Sequence, residues 1–302
     1  MTVNAIEAFK SAISVPATRV SNLPPIVLVF GGPLGDAQNS ARQMFLNWTL
    51  AKGHTINSLL RTPEQFNDWN EFEGYSNLID FERDAGNLTQ AIVLFSESEG
   101  SFAELGAFCM DNVLSERLFV VIARQHYNAG SFIAKGPIKK IELLHGLPVC
   151  VVETLMPNAI TDQLPEIAIA LEEKVKTGPR TQAFEPMRDR DQFLMVADLI
   201  ELFGAVTLGE VHDLLTWAGI NIQRNRLEQI VKQLLRFELI HAVQRTTRRF
   251  FVPPSDRRSY LSYQSPAETP PFDRARFKMT KVDLWLNADV PRSRAYYEVH
   301  PK

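Results

Sequence analysis

Cysteine is scarce in this 302-residue chain, where only Cys109 and Cys150 occur. Two thiols without a CxxC spacing exclude a zinc ribbon and a disulfide-stapled scaffold, and we expect both to be free and buried. Histidine is scarce too. The six are scattered, with no HxxxH or HExxH pair, so no metal site and no cofactor are expected. No apolar run approaches the ~20 residues that cross a bilayer, which excludes a membrane helix. The first residues, MTVNAIEAFKSAISVPATRV, lack the basic start and apolar block of a secretory leader. A cytoplasmic protein without membrane contact is expected. There is no internal repeat.

What is present is a balanced globular composition, 45% hydrophobic and 22% charged, in a length that suggests two domains. The net charge of −3 conceals an asymmetry. From Asn221 onward, 16 basic and 8 acidic side chains give +8, so the preceding 220 residues carry −11. An acidic front and a basic back imply different tasks.

The front alternates short apolar runs with helical patterns. PPIVLVFGGPLGD (24–36) reads as a buried strand entering a glycine turn at Gly31-Gly32. Helices are expected over 39–53, 77–88, 101–114 and 161–178, and strands over 91–95, 117–123 and 147–153. Strands apolar on both faces and separated by helices indicate a parallel α/β sheet covered on both sides. We assign this domain to 1–178 and a polar, proline-bearing linker to 179–190. Amphipathic helices then follow over 191–204, 207–219 and 223–238, with a basic hairpin over 239–254. That is the layout of a winged helix-turn-helix, and we assign this mostly helical domain to 191–254. The remainder, 255–302, is basic and aromatic and is expected to be extended, ordering only against a partner.

SESEGSFAELGAF (96–108) follows the strand at 91–95. Ser101-x-x-Glu104 fits a capping box, which needs no function beyond starting a helix. Three features point further. Ligands of parallel α/β sheets bind beyond the carboxyl ends of strands. Gly100 and Ser101 place N–H groups at a helix start suited to phosphate or ribose oxygens. Glu97 and Glu99 exceed what a cap requires, and neither has an assigned role. The helix dipole is expected to keep Glu104 ionised, and small Gly106-Ala107 to bring the helix close to the sheet. An ionised carboxylate is a usable nucleophile at an anomeric carbon.

IVLFSESEGSFAELGAF resembles the active-site segment of nucleoside deoxyribosyltransferase-like proteins. More closely, it resembles the deoxyribosyltransferase-like effectors of retron antiphage systems, which join such a domain to a C-terminal winged helix. The likeness continues through RLFVVIA (117–123) and SFIAKGPIKKIELLHGLPVCVV (131–152), and in outline through FGGPLGDAQNSARQ (30–43). It implies a Rossmann-like fold with Glu104 as catalytic nucleophile. Ser98, Gly100 and Ser101 would hold ribose or phosphate oxygens, and Gly31 and Gly32 would border the base pocket. Glu82 falls where relatives carry a glutamate; it either orients the sugar or is a solvated helix residue. Transferases place an aspartate where this chain has Ser98-Glu99, which counts against deoxynucleoside transfer and leaves N-glycoside cleavage open. The implied substrate is NAD, cleaved to nicotinamide and ADP-ribose by a toxin-type enzyme in abortive defence. The implied partners are the retron reverse transcriptase and its branched RNA–DNA hybrid, the msDNA, in a homo-oligomer or larger assembly.

In the basic half, Arg224, Arg226 and Lys232 on the third helix and Arg245, Arg248 and Arg249 near the hairpin tip are the candidate nucleic-acid contacts. Two rival readings remain. One is a regulator whose α/β domain senses a nucleotide while the winged helix reads an operator. The other is an assembly subunit without catalytic activity. A nucleosidase or transferase acting on other nucleosides is a variant of the enzyme reading.

Overall fold

The computed structural model describes residues 4–35, 40–66, 74–146, 148–177, 181–256 and 258–301. The chain divides into two compact units. One is Pro25–Gly178; the other combines Met1–Pro24 with Pro179–Lys302. In chain order the elements begin with α1 (Ala5–Ala12), β1 (Ser14–Val20), β2 (Val27–Phe30), α2 (Ala41–Ala51), β3 (Leu60–Arg61) and α3 (Leu78–Asn87). They continue with β4 (Ala91–Phe95), α4 (Glu99–Phe108), α5 (Asn112–Arg117), β5 (Leu118–Ala123), α6 (Arg124–Tyr127), α7 (Lys139–His145), β6 (Val149–Val152) and α8 (Leu164–Thr177). The rest are β7 (Gln182–Ala183), α9 (Asp189–Phe203), α10 (Leu208–Trp217), α11 (Arg224–Arg236), β8 (His241–Arg245), β9 (Arg248–Val252), β10 (Leu261–Gln264), α12 (Arg274–Phe277), α13 (Asp283–Ala288) and α14 (Val290–Val299).

The first unit is a five-stranded parallel sheet in the order β3-β2-β4-β5-β6. β2, β4 and β5 are buried at every residue. That explains their unbroken apolar runs, since a strand covered on both faces needs no polar alternation. Val27, Val29, Val93, Phe95 and Val121 pack with Ala41 and Phe45 of α2 and Leu164, Ile167 and Ala168 of α8. Alternate residues face the other way, where Phe30 meets Phe108 of α4 edge-on at 5.3 Å. The chain passes from β2 outward to β3, then back across to β4. The order therefore reverses between β2 and β4, and the helices that follow those two strands leave on opposite faces. Such a reversal opens a crevice at the carboxyl ends of the strands.

The helix expected over 101–114 is two helices. Asp111 ends the first run, and its side chain accepts from the N–H groups of Val113 and Leu114 to cap α5. Gly106 does not set the helix spacing, because a Cβ there would meet nothing within 4 Å. The close approach is at Gly86 of α3, where a Cβ would lie 2.1 Å from Leu114 Cδ2. Cys109 is buried and Cys150 half-buried, and both are free.

The second unit departs further from the sequence expectation. Residues 4–24 do not join the α/β sheet. β1 pairs antiparallel with β10 on one side and β7 on the other, and Phe9 of α1 sits among Phe203, Trp217, Tyr263, Phe272 and Phe277 with ring centroids 5.0–6.0 Å away. The linker contributes β7, with 178–180 outside the described residues. α9, α10 and α11 are followed by the antiparallel hairpin β8–β9, in which Thr246 takes a left-handed turn at φ 51°. Thr207 and Glu210 form a reciprocal cap at the start of α10.

The tail is not extended. It forms β10 and α12–α14 and closes over α9, which is buried on nearly all sides. Asp198, fully buried on α9, accepts from the backbone N–H groups of Tyr260 and Leu261 at 2.7 and 3.0 Å and from Arg274 Nη1 at 3.0 Å. Glu201 binds Arg274 and Lys278. Arg292 is held by Glu210 and by Ala205 O, with its guanidinium 3.8 Å from the Trp285 ring. Among the described residues no helix is long and apolar enough to cross a membrane.

Removing one partner of a buried ionic network leaves charge without compensation, at a cost of ~3–5 kcal/mol. Arg274→Ala is therefore expected to lower the unfolding free energy of the second unit by ~3–5 kcal/mol in denaturant titration. Wild-type stability in this variant would show that the network does not hold the tail.

Candidate active site

The crevice between β2 and β4 is built around Glu97, which follows β4. Its Oε1 accepts from the N–H groups of Gly32 at 3.0 Å and Arg42 at 3.1 Å; its Oε2 accepts from Ala41 N–H at 2.6 Å. The carboxylate thus fills the anion position at the start of α2, where unpaired N–H groups and the helix dipole favour negative charge. Ser40 caps the same helix through Gln43 N–H. The turn between them needs glycine. Gly31 has φ 152°, and a Cβ there would come within 2.9 Å of Phe95 Cβ; on Gly32 it would lie 2.8 Å from Ser40 Cβ. Gly31 and Gly32 therefore pack against Glu97 and α2 at the edge of the crevice.

α4 starts three residues earlier than the capping-box reading places it. Ser98 is the N-cap. Its Oγ accepts from Ser101 N–H at 3.2 Å, while Ser101 Oγ accepts from the N–H groups of Glu97 and Ser98 at 3.0 and 2.9 Å. Ser98 and Ser101 form the box, and Ser101 is buried. Gly100 and Glu99 are exposed in the first turn. Glu104, six residues into α4, plays no part in the cap.

The expectation that the helix start keeps Glu104 ionised is also corrected. Burial pushes its carboxyl up to about 7; the Arg42 guanidinium opposes this, and the Glu64 carboxylate adds to it. At the sixth residue of the helix the dipole has faded, so desolvation dominates. Glu104 Oε2 is buried and has no hydrogen-bond partner among the described residues. A buried acceptor left unpaired costs ~1–3 kcal/mol, which marks a group kept for something other than stability.

Arg42 of α2 is 3% exposed at its side chain. Its Nη1 donates to Val29 O at 3.2 Å, and the guanidinium grips Glu64 at 2.6 and 3.3 Å. Glu82 on α3 is buried, 6% exposed, so it is not a solvated helix residue. Asp84, also buried, accepts from Tyr75 Oη at 2.6 Å. Ser96 is fully buried with its Oγ unpartnered among the described residues. At the end of β5, His126 packs edge-on against Phe102 at 5.5 Å. The sequence reading missed Arg42, Glu64 and the brace role of Glu97. Arg42 was detectable as the first cation after the glycine turn, whereas Glu64 carries no local signal.

The candidate nucleic-acid residues have varied surroundings. Arg224 is exposed on α11 and pairs with Glu228 at 3.3 Å. Arg226 lies over the Phe193 ring and 3.6 Å from Asp189; Lys232 is half-buried on the same helix. On the hairpin, Arg245 pairs with Glu298 of α14, and Arg248 binds Asp289 through two contacts of 2.7 Å. Arg249 is exposed above Phe251. Two of the three hairpin arginines thus hold the tail.

The raised carboxyl gives a stability signature. The neutral form of Glu104 is favoured in the fold, so its contribution is intact below the ordinary value of 4.5 and is lost as pH rises through about 7. Glu104→Gln removes that loss. The variant is expected to exceed wild type by up to ~3 kcal/mol at pH 8.5 and to match it at pH 4.5 in denaturant unfolding. An equal difference at both pH values would contradict the burial of this charge.

Residues 38–242, about two thirds of the chain, match the family described as STM3845 retron effector protein. Among curated relatives, the chain is 28% identical over 154 residues to the "Retron Ec73 putative ribosyltransferase/DNA-binding protein" of Escherichia coli, covering 46% of this chain and 49% of the relative. It is 29% identical over 121 residues to the Escherichia coli Retron Ec86 protein named in the same terms, covering 40% of this chain and 38% of the relative. The matched stretches thus span half or less of those relatives. The family match includes Glu64, Glu97 and Glu104 and continues through α11 into β8. On this match the chain belongs to the STM3845 retron effector protein family.

Proposed function

We propose that the α/β unit is an N-glycosidase that cleaves NAD to nicotinamide and ADP-ribose, acting as a retron toxin in abortive antiphage defence. The observation that carries this reading is the buried Oε2 of Glu104, without a hydrogen-bond partner among the described residues, on the helix that follows β4 where the strand order reverses. The relatives' names pair ribosyl transfer with DNA binding, which fits a glycosyl chemistry in the first unit and a nucleic-acid role in the second.

A carboxylate oxygen of Glu104 attacks C1′ of the nicotinamide ribose. The C1′–N bond breaks, and its electron pair neutralises the pyridinium nitrogen, so nicotinamide leaves without needing a proton. Water then attacks C1′, the ester to Glu104 breaks, and the water's proton passes to solvent. The transition states are oxocarbenium-like and are stabilised by the adjacent carboxylate. A cationic leaving group suits this site for a second reason. Its positive charge favours the ionised form of a carboxyl that burial holds near neutrality. Neutral nucleosides lack that help and need a general acid at the base.

In the second unit, we propose that α9–α11 and the β8–β9 hairpin act as a winged helix-turn-helix that docks on the retron reverse transcriptase and its msDNA. Arg224 and Arg249, both exposed, would meet phosphate. Ser98 and Gly100 at the start of α4 would receive ribose or phosphate oxygens of the substrate, with Glu82 behind the sugar, while Ser101, buried with its hydroxyl and N–H engaged in the cap, shapes the turn from beneath.

The test is release of free base from NAD and from neutral nucleosides, followed by chromatography. NAD is expected to be the preferred substrate, and Glu104→Gln to lower turnover by on the order of 10³-fold or more. The acidic limb of kcat/KM should lie near 7, where burial places the free carboxyl, and that of kcat at lower pH, because bound substrate cation favours ionisation. Full activity in Glu104→Gln would remove the nucleophile assignment. Faster cleavage of neutral nucleosides than of NAD would remove the substrate assignment.

A further inference from the structure

The second unit contains an open cavity of about 300 Å³. Its walls come from the end of α1, the chain that follows β10, and α12 with the turn after it, all within that unit. The floor is aromatic and fixed. Phe272 packs on Phe9, Tyr263 and Phe277 with ring centroids 5.4–6.0 Å away, and its half-buried ring keeps part of its surface on the cavity. The loop wall is fixed too. Thr269 donates to Pro266 O through its N–H at 3.2 Å and its Oγ1 at 2.6 Å, and Pro270-Pro271 follow. The charges on the helical wall are unusual. Arg274, Arg276, Lys278 and Lys281 fall within one short stretch. Arg274 and Lys278 turn inward to Asp198 and Glu201. Arg276 and Lys281 are exposed, line the cavity and enter no ion pair among the described residues. Residues five apart lie about 140° apart around an α-helix, too far to share a face. Here Lys278–Val282 is a π turn, in which Asp283 N–H bonds to Lys278 O. The wider turn closes that angle, and both cations reach one cavity; such turns concentrate at functional sites. Asp273 lies on the same wall. Its Oδ1 accepts from Arg276 N–H at 2.9 Å, and its Oδ2 has no partner among the described residues.

We propose that this cavity binds a nucleoside monophosphate: Arg276 and Lys281 hold the phosphate, the planar base lies against Phe272, and Asp273 accepts from ribose or base donors. The lining selects this class. Two cations without partners call for an anion that takes charge-assisted hydrogen bonds. An aromatic floor favours a planar group, which stacks on it. A carboxylate on the same wall repels a simple anion and an acidic peptide alike, but suits a ligand that also carries hydroxyl or amino donors. The hydroxyls of Ser11, Thr269 and Thr280 already donate to backbone carbonyls, so they can meet a ligand only as acceptors and add to the same demand. A nucleotide combines phosphate, ring and donors in a volume at the lower end of small-ligand sites. The chemistry has two sources, a free mononucleotide and the 5′-phosphate end of a strand. Neither depends on what Glu104 does in the first unit.

The experiment is photolabelling of the full chain with 8-azidoadenosine monophosphate, followed by peptide mapping in the mass spectrometer. Label is expected within 265–281. Adenosine monophosphate should displace it, whereas adenosine or inorganic phosphate at the same concentration should not. Arg276→Ala and Lys281→Ala are each expected to weaken labelling there by about tenfold, the loss of one charge-assisted contact. Both side chains are exposed, so neither substitution touches the core. The displacement pattern in wild type tests the site without any variant. A 5′-phosphorylated tetranucleotide and its 5′-hydroxyl counterpart separate the two sources. Stronger displacement by the phosphorylated strand than by the mononucleotide identifies a strand end, and the reverse identifies a free nucleotide; each supports the site. Label confined to the first unit overturns the proposal, because it reports the crevice alone. So does full labelling of 265–281 in both variants, or displacement by adenosine or by inorganic phosphate equal to that by adenosine monophosphate.

Discussion

Three backbone amides converge on one carboxylate, that of Glu97, and the crevice takes its form from this contact. The chain leaving β4 is tied to the chain leaving β2 at the place where strand order reverses. An internal carboxylate fills the start of α2, so that helix offers its anion position to the protein itself and not to a ligand. The start of α4, capped by Ser98 and Ser101, is the second helix terminus at the same edge. Holding α2 in place also holds Arg42, whose charge opposes the effect of burial on Glu104. One brace thus fixes a cation and leaves a carboxyl poised between its two forms.

The second unit follows a similar logic with opposite polarity. α9 carries Asp198 and Glu201 into the interior, and the tail returns Arg274 and Lys278 to meet them. The hairpin presents arginines, and the tail answers Arg245 and Arg248 with Glu298 and Asp289. Much of the excess positive charge counted in the sequence is consequently internal to the fold, which leaves a smaller set for any phosphate backbone. Buried ion pairs contribute little net stability over an apolar core, but they are intolerant of losing one member. They suit a tail that must take one position.

The sequence was informative where its signals are local. Apolar runs marked β2, β4 and β5, and the spacing of leucine and isoleucine marked α11. Glu104 stood out because strand, glycine, serine and carboxylate follow one another within a dozen residues. Long-range contacts were invisible. Glu97 reaches Gly32 across 65 positions, and Arg274 reaches Glu201 across 73, with no periodicity to announce either. The same limit hid the placement of α1 and β1, because β1 and Phe9 find their partners near the far end of the chain. Glu82 could not be resolved between a sugar contact and a solvated residue, because burial is set by tertiary packing. The helix break at Asp111 was hidden by continuous apolar spacing on both sides.

The central claim is that Glu104 bonds covalently to the ribosyl carbon. The most direct measurement uses an NAD analogue with fluorine at C2′ of the nicotinamide ribose, in the arabino configuration. The electron-withdrawing substituent disfavours the oxocarbenium-like transition states and lets an intermediate accumulate. After incubation with the full chain, peptides spanning Ser96–Phe108 are weighed by mass spectrometry. The account predicts a fluorinated ADP-ribosyl adduct on Glu104 and free nicotinamide in equal amount. Continued nicotinamide release with no adduct at Glu104, or an adduct on another residue, would contradict it.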